Sequence, residues 1–558
     1  MNMIKFLKAH RKITLVSLLA LIFLANFAAH YVVYHSRHYI QQEYSNLILA
    51  RNLAQTGLVS YESRSNVVLS TTELSQSGMP AELGNKLTFF LYGLIFRVFG
   101  FNPEWPVFIA MALYSLAAVF IFLTIRRLTD LKIGLVAAGL NLALPFFLAQ
   151  TNTVGNQEWG FAFLAVAAFF YFWPRKRSAI FIILTALFLG LAVAAKNSYC
   201  LTIAPFLLLE LWRGGKSAWR ESIFNVVIMS LVFLLIVAPL TLASGNEYLS
   251  ELLYFTPDTN QSISSFGYVF PDAYTYHYEK QDYLNKLYAN PVAYSGSEFT
   301  FWGDTGSFLA EYGMPINFWQ SEVVTRIFSA WIYLKGFLSP IVFGGLLTWL
   351  LIFVGLRELF RKKENHLLIF SAVFLAAWFA LMIGLRTSNY SQFLIILFPI
   401  LLAAAIGLWR LSELLAEFFQ TKGTRTNQIA GVTAWILLLF FAQNSWVYLS
   451  RFYLNENLVL ANKILALARS PQSANLFDAK GVTAVGWTQD VPNLLNYYLD
   501  KNFIYFAPQT VQKLADQGKL AQVFKNYGVT GFIGYDDQLV QAINKNTNNK
   551  LKSYSIDQ

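Results

Sequence analysis

Charge is what this sequence has least of. Asp, Glu, Lys and Arg together make up 13% of 558 residues, about half the share carried by an ordinary soluble protein. Hydrophobic residues reach 56% and aromatic residues 17%, and long uncharged stretches recur from Ile13 to Trp446. A soluble globular enzyme is thereby excluded in favour of a polytopic membrane protein. Cysteine is nearly absent as well. A single thiol, Cys200, excludes an intrachain disulfide and a cysteine-based zinc cage, and its apolar setting marks it as inert. No HExxH, GxxxxGK[ST] or GxSxG occurs in a context that would support it. Ionisable residues are also sparse inside the apolar spans, which speaks against proton- or ion-coupled transport.

The charge that is present is informative in its placement. The formal net charge of +11 does not indicate nucleic acid, because the basic residues cluster in short loops between apolar spans. Eleven spans are expected, at about 13–33, 105–125, 131–149, 160–173, 178–195, 199–212, 222–243, 337–356, 366–385, 390–409 and 429–447. Alternate loops hold Lys5, Lys8, Arg11 and Lys12; Arg126, Arg127 and Lys132; and Arg175, Lys176 and Arg177. The same side then holds Arg213, Lys216 and Arg220; Arg357, Arg361, Lys362 and Lys363; and Arg410, Lys422 and Arg425. By the positive-inside rule this side is cytoplasmic, as is the N-terminus. The first span is longer than the apolar core of a signal peptide and reads as an uncleaved anchor. An integral plasma-membrane location follows.

The opposite side receives two long loops, 34–104 and 244–336, and everything beyond 450. Loops of that size are usually functional. Two domains are therefore expected: a membrane module over 1–450 and a soluble, extracytoplasmic α/β domain over 451–558. In the latter, GVTAVGW, NFIYFA and VTGFIGY read as strands and VPNLLNYYLD, VQKLADQ and QLVQAINK as helices. No glycine-rich phosphate loop accompanies them.

In the first long loop, YIQQEYSNLILARNLAQTG from Tyr39 to Gly57 reads as a helix. At about 100° per residue, Glu43 falls in line with Leu47, Ala50 and Ala54, the face a membrane-lying helix buries. An ionised carboxylate there costs several kcal/mol unless it is paired or used, and Arg51, two turns away, would meet it poorly. KLTFFLYGLIFRVFG, from Lys86 to Gly100, reads as a second interfacial helix.

Four further residues mark the outer ends of spans. Glu158 in TVGNQEWGF stands where the chain re-enters the membrane. Lys196 in AVAAKNSY and Arg386 in GLRTSNYSQF close the fifth and ninth spans, and Lys86 opens the second interfacial helix. Taken singly, Lys196 and Arg386 could snorkel to lipid phosphates, and Glu158 could be an ordinary interfacial acid. If the span ends converge, two carboxylates and three cations line one site, suited to a base for an acceptor beside cations for an anionic lipid head group. His30, His35 and His38 gather near the outer end of the first span, but no carboxylate set completes a metal site with them.

In topology and in the order of several short motifs, residues 1–450 resemble the integral-membrane GT-C glycosyltransferases. The nearest branch is that of the protein O-mannosyltransferases and lipid A aminoarabinose transferases. QEYSNLILARNLAQTG takes the place of the family's acidic element and the helix after it, with Ala50, Leu53 and Gly57 in register. NKLTFFLYGLIFRVFG matches the interfacial helix that ends in Phe-Gly. Glu158, LFLGLAVAAK and, loosely, RTSNYSQFLIILFP match later elements. Gln42 stands where the family usually has Asp, so Glu43 is either the replacement base or the second acid of the pair.

The resemblance implies inverting transfer of a sugar from a polyprenyl-phosphate donor to an extracytoplasmic glycan, lipid or protein acceptor, among membrane lipids and without nucleic acid. Glu43, and next Glu158, would be the catalytic carboxylates. Lys86, Lys196 and Arg386 would hold the donor phosphate. Asp258, Asp272, His277 and Asp304 are the polar candidates of an acceptor-binding or lid loop. No cofactor or metal is required, although a loop carboxylate pair could hold a divalent ion. A lipid-linked glycan transporter or flippase and a noncatalytic scaffold are the competing classes, the latter consistent with Gln42. The tail lacks a Trp-Trp-Asp-type motif, which makes an oligosaccharyltransferase the poorer match.

Overall fold

The computed structural model describes residues 11–37, 41–42, 44–57, 86–149, 153–154, 157–174, 178–214, 218–243, 345–385, 390–418, 424–453, 482–486, 490–505, 514–526, 528–534, 537–546 and 552–555, with single positions at 330, 333, 334, 337, 463, 466, 467, 469 and 511; side chains at a few element ends are not described. Glu43, Arg386, Asp258, Asp272, His277 and Asp304 lie outside the described residues.

The chain begins with α1 (Arg11–Arg37), a two-residue strand β1 (Gln41–Gln42), α2 (Tyr44–Thr56) and α3 (Lys86–Phe99). It continues through α4 (Trp105–Leu128), α5 (Leu131–Ala143), the short α6 (Pro145–Ala149) and a second two-residue strand β2 (Thr153–Val154). Next come α7 (Gln157–Phe172), α8 (Ala179–Ala195), α9 (Ile203–Gly214) and α10 (Trp219–Ala243). After residue 345 follow α11 (Leu346–Arg361), α12 (Asn365–Leu385), α13 (Leu397–Phe418) and α14 (Thr424–Tyr453). Five described helical stretches are long and apolar enough to cross a membrane: Leu15–Tyr34, Trp105–Leu128, Trp219–Pro239, Asn365–Met382 and Gln392–Phe418. The chain is a multi-pass membrane protein of helical architecture.

Helix boundaries follow local chemistry. The stretch expected as one span over 131–149 is two helices, because Leu144 is extended and Pro145 opens a new helix. Asp130 caps α5 by accepting from the Ile133 amide at 2.9 Å. The apolar runs at 199–212 and 390–409 each enter through a 3₁₀ turn, Asn197–Thr202 and Tyr390–Ile396, before the α-helix starts.

The core sits around α4, α7, α8 and α13. α13 is buried along its whole apolar stretch, whereas α10 turns Phe224, Leu231 and Leu235 outward and α14 turns Val432, Ile436 and Leu439 outward, as lipid-facing helices do. α11 and α13 cross at two glycines. A Cβ at Gly355 would overlap the Ala403 carbonyl, and one at Gly407 would overlap the Leu351 carbonyl. The two backbones therefore touch, which only small residues allow. Beside the crossing, Arg410 bridges Glu413 at 3.0 Å and approaches Glu358 at 4.0 Å.

After α14 the fold changes to a parallel four-stranded sheet. β3 (Val482–Gly486), α15 (Asp490–Leu499), β4 (Asn502–Tyr505), α16 (Leu520–Asn526), β5 (Val529–Gly534), α17 (Asp537–Asn546) and β6 (Lys552–Ser555) give the strand order β4-β3-β5-β6. The three strands read from the sequence are all present. β6, in the polar KSYS stretch, has no apolar signal and is added by pairing with β5, Phe532 opposite Ser553.

Gly355→Val or Gly407→Val is expected to destabilise the helix pair by about 1–3 kcal/mol or more, the cost of overpacking a closed contact. Gly431→Ala, where an added Cβ meets nothing within 4 Å, is expected to leave the thermal midpoint in detergent unchanged. Parallel melting curves of the three variants check this.

Candidate functional site

A phenol or carboxylate among apolar side chains must find a partner, and the polar residues at one end of the bundle do so across several helices. Glu158 lies in the first turn of α7 and has no exposed surface. The helix N-terminus offers it a favourable field, worth about 0.3–1 kcal/mol and more when buried. Tyr92 of α3, itself fully buried, donates a short hydrogen bond to its Oε1. The Tyr114 and Tyr199 hydroxyls lie close enough to feel its charge. Both are buried and have no hydrogen-bond partner among the described residues.

Gly160 explains how Tyr199 reaches this place. A Cβ there would fall 2.6 Å from Tyr199 Cε2, so the ring lies flush against the first turn of α7. Tyr114 is held from the other side, stacked on His30 at 5.4 Å between ring centroids and edge-on to Phe147 at 5.7 Å. His30, read from the sequence as part of an interfacial histidine group, is thus a buried ring in an aromatic cluster. Among the described residues no group of three or more His, Cys, Asp or Glu could hold a metal ion.

The structure brings several of the sequence-derived candidates to this end. Lys86 is the first residue of α3, and Thr88, two positions on, donates to the Ala195 carbonyl at 3.2 Å. Ala195 precedes Lys196, which ends α8 in an extended conformation, half-buried, and accepts at its carbonyl from the Tyr199 amide at 3.1 Å. The start of α3 therefore lies against the end of α8, and Tyr92, which holds Glu158, follows one helical turn beyond Thr88. The described part of the helix expected over 39–57 begins at Tyr44. Before it, Gln41 and Gln42 form β1, paired in parallel with Thr153 and Val154 of β2. That pairing sets Gln42, the residue before Glu43, beside the segment that leads into Glu158.

Arg51, on α2, does something the sequence did not reveal. It is fully buried and points into the C-terminal end of α15. It donates to the carbonyls of Asn496 at 2.6 Å and Tyr497 at 3.2 Å and to Asn496 Oδ1 at 3.1 Å, and it pairs with Asp500 at 3.0 Å. A cation at the negative end of a helix is favourable, and here it joins the Asp500 amide, which donates to the Asn496 carbonyl at 2.9 Å. A second clasp centres on Glu104, at the start of α4. It accepts from Tyr34 at 2.7 Å, from Arg469 at 3.0 Å and from Tyr498 at 3.2 Å. Burial and the adjacent Glu104 push the Tyr498 phenol far above its ordinary range, so it remains a donor. The signal for these groups was weak: charges and tyrosines inside or beside apolar stretches, whose partners are hundreds of residues away.

Comparison with known proteins matches the family model for dolichyl-phosphate-mannose-protein mannosyltransferase to residues 86–242. Among solved structures, the chain is similar to the oligosaccharyltransferase of Archaeoglobus fulgidus with a tethered acceptor peptide, at 12% identity and a TM-score of 0.53, covering 92% of this chain and 68% of that one. It is also similar to ArnT of Cupriavidus metallidurans bound to undecaprenyl phosphate, at 12% identity and a TM-score of 0.48, covering 97% and 90%. A comparison with curated protein sequences gives no significant match. The likeness to the archaeal enzyme shows that this chain has the GT-C fold.

Tyr92→Phe is expected to cost about 1–3 kcal/mol, the desolvation penalty of a buried acceptor that loses its donor. Gly160→Ala is expected to displace the Tyr199 ring. Arg51→Met, which strips the α15 terminus of its cation, is expected to expose the C-terminal unit to protease well before the helical bundle is cut. Melting curves and limited proteolysis with mass mapping report on all three.

Proposed function

We propose that this chain is a membrane glycosyltransferase that moves a sugar from a polyprenyl-phosphate carrier to an extracytoplasmic glycan, lipid or protein acceptor. The observation that carries this reading is the buried Glu158, held by Tyr92 where the start of α3, which Lys86 opens, lies against the end of α8, which Lys196 closes. The matched family segment, 86–242, contains all three residues. A paired carboxylate beside cations at one end of a helical bundle suits attack on an activated sugar at the membrane surface.

In this reading the acceptor hydroxyl or amine attacks the anomeric carbon from the face opposite the phosphate. The new bond forms as the bond from the anomeric carbon to the phosphate oxygen breaks, and configuration inverts. The acceptor proton passes to a carboxylate, Glu43 in first place. The electron pair leaves with the polyprenyl phosphate, whose charge Lys86, Lys196 and Arg386 would balance. Glu158 would be the second acid, fixed by Tyr92. The unpartnered hydroxyls of Tyr114 and Tyr199 offer two donors to a polar ligand entering beside it. The loop over 244–336, with Asp258, Asp272, His277 and Asp304, would receive the acceptor. This reading requires no cofactor, and a loop carboxylate pair could hold a divalent ion.

The experiment is direct transfer. Purified protein in nanodiscs receives radiolabelled polyprenyl-phosphate monosaccharides and a membrane extract as acceptor. Glu43→Gln or Glu158→Gln is expected to lower transfer about 10²–10⁴-fold, the contribution of a positioned base, with folding verified by melting temperature. Loss confined to Glu158→Gln would move the base to that residue. A wild-type protein that neither transfers from any donor nor is stabilised by one would overturn the proposal in favour of a scaffold.

A further inference from the structure

At the end of the bundle remote from Glu158, a cleft of about 210 Å³ opens between α5, α13 and α14. Glu104 and Lys132 stand at opposite ends of α4, whose 24 residues rise about 36 Å, so the cleft is separate from the site above. Its walls are Leu135, Val136, Ala434 and Leu438, with the indoles of Trp409 and Trp435 at its sides. Lys132, the one charged residue in this lining, sets its ammonium 5.2 Å from the centre of the Trp409 ring. Trp409 is fixed in turn, its indole N–H donating to Glu413 at 2.7 Å. Trp435 and Lys132 are exposed, and at Gly431 an added Cβ would meet nothing within 4 Å.

The cleft lies alongside the first two turns of α5. α5 has 13 residues and rises about 20 Å, against a hydrocarbon core of about 30 Å. α13, with 22 residues, and α14, with 30, overreach it. The apolar trough runs along these first turns of α5, and hydration of such walls is unfavourable. A bilayer fills it with an acyl chain. The rim chemistry agrees with this. An ammonium and two indoles, close to the last turn of α4 with its Arg126 and Arg127, form a setting complementary to a lipid phosphate.

We propose that this cleft is a binding site for an anionic glycerophospholipid of the surrounding membrane, its phosphate on Lys132 and one acyl chain along α5 and α14. The site holds a structural lipid between three helices, one of which, α13, is the buried centre of the fold. It is independent of the proposed transfer reaction.

The test is native mass spectrometry of the full chain released from detergent after incubation with phosphatidylglycerol, with phosphatidylcholine, or with undecaprenyl phosphate. Thermal melting is followed in the same mixtures. Wild-type protein is expected to retain one phosphatidylglycerol, at least tenfold over phosphatidylcholine, and to melt higher in its presence. Lys132→Gln is expected to abolish that preference. Gly431→Phe, which grows into open space, is expected to abolish retention, while both variants melt as wild type does in lipid-free detergent. Equal retention of the two phospholipids, or retention by the variants at the wild-type level, would overturn the site. Preferential retention of undecaprenyl phosphate that Lys132→Gln removes would overturn the choice of occupant. Should Gly431→Phe melt early without lipid, Lys132→Gln alone decides the outcome.

Discussion

A carboxylate with no exposed surface at the edge of an apolar bundle is the constraint around which this end of the molecule is arranged. Removing Glu158 from water would cost several kcal/mol if nothing answered its charge. The answer comes from the first turn of α7 and from the Tyr92 hydroxyl, with the phenols of Tyr114 and Tyr199 packed nearby. Each supporting group needs its own support. Tyr92 requires α3 to lie against α7, Tyr199 requires a glycine at 160, and Tyr114 is braced by His30 and Phe147. α3 is placed in turn by Thr88 on the end of α8 and by Gly93 against α2, where an added Cβ would lie 3.2 Å from the Ala50 carbonyl. The polar site and the helix packing are one set of contacts.

The two clasps extend that set to the C-terminal unit. Arg51 and Glu104 bear opposite charges, and each finds its partners in the segment after α14. Arg51 meets carbonyls and Asp500, and Glu104 meets Arg469 and Tyr498. Tyr497 adds a hydrogen bond to the Pro103 carbonyl at 3.2 Å. Because α2 follows β1 directly, the cation that fixes α15 also anchors the helix nearest to the Gln41–Gln42 strand. The α/β unit thus bears on the first long loop through hydrogen bonds to charged groups, the stronger class of such contacts.

The helical architecture was legible because apolar runs of membrane length carry a strong and local signal. The strands of the C-terminal unit were legible for the same reason, since β-branched and aromatic residues cluster between turn formers in GVTAVGW and VTGFIGY. Glu158 and Lys196 stood out as charges at the ends of such runs. What was hidden is what depends on partners far along the chain. Nothing local distinguishes Arg51 from an exposed helical arginine, or Tyr92 from any interfacial tyrosine. The break at Leu144–Pro145 was readable from proline alone, yet hydropathy averaging merged the two helices. β6 is polar and exists through its neighbour, so no pattern within KSYS announces it.

The pairing of β1 with β2 joins positions 112 residues apart, and the Arg51 clasp joins positions 445 residues apart. A chain that enters the membrane as it is made therefore completes its charged end late. The ladder has to wait for α4, α5 and α6 to be in place. The guanidinium of Arg51 stays without the carbonyls that later receive it until 445 more residues have been made. At about 5–20 residues per second that interval is roughly 20–90 s, during which α2 and α3 are held by each other and by the helices up to α14. Biogenesis of this protein thus has a built-in order, with α2 locked by the α/β unit only after the helices that precede that unit have been made.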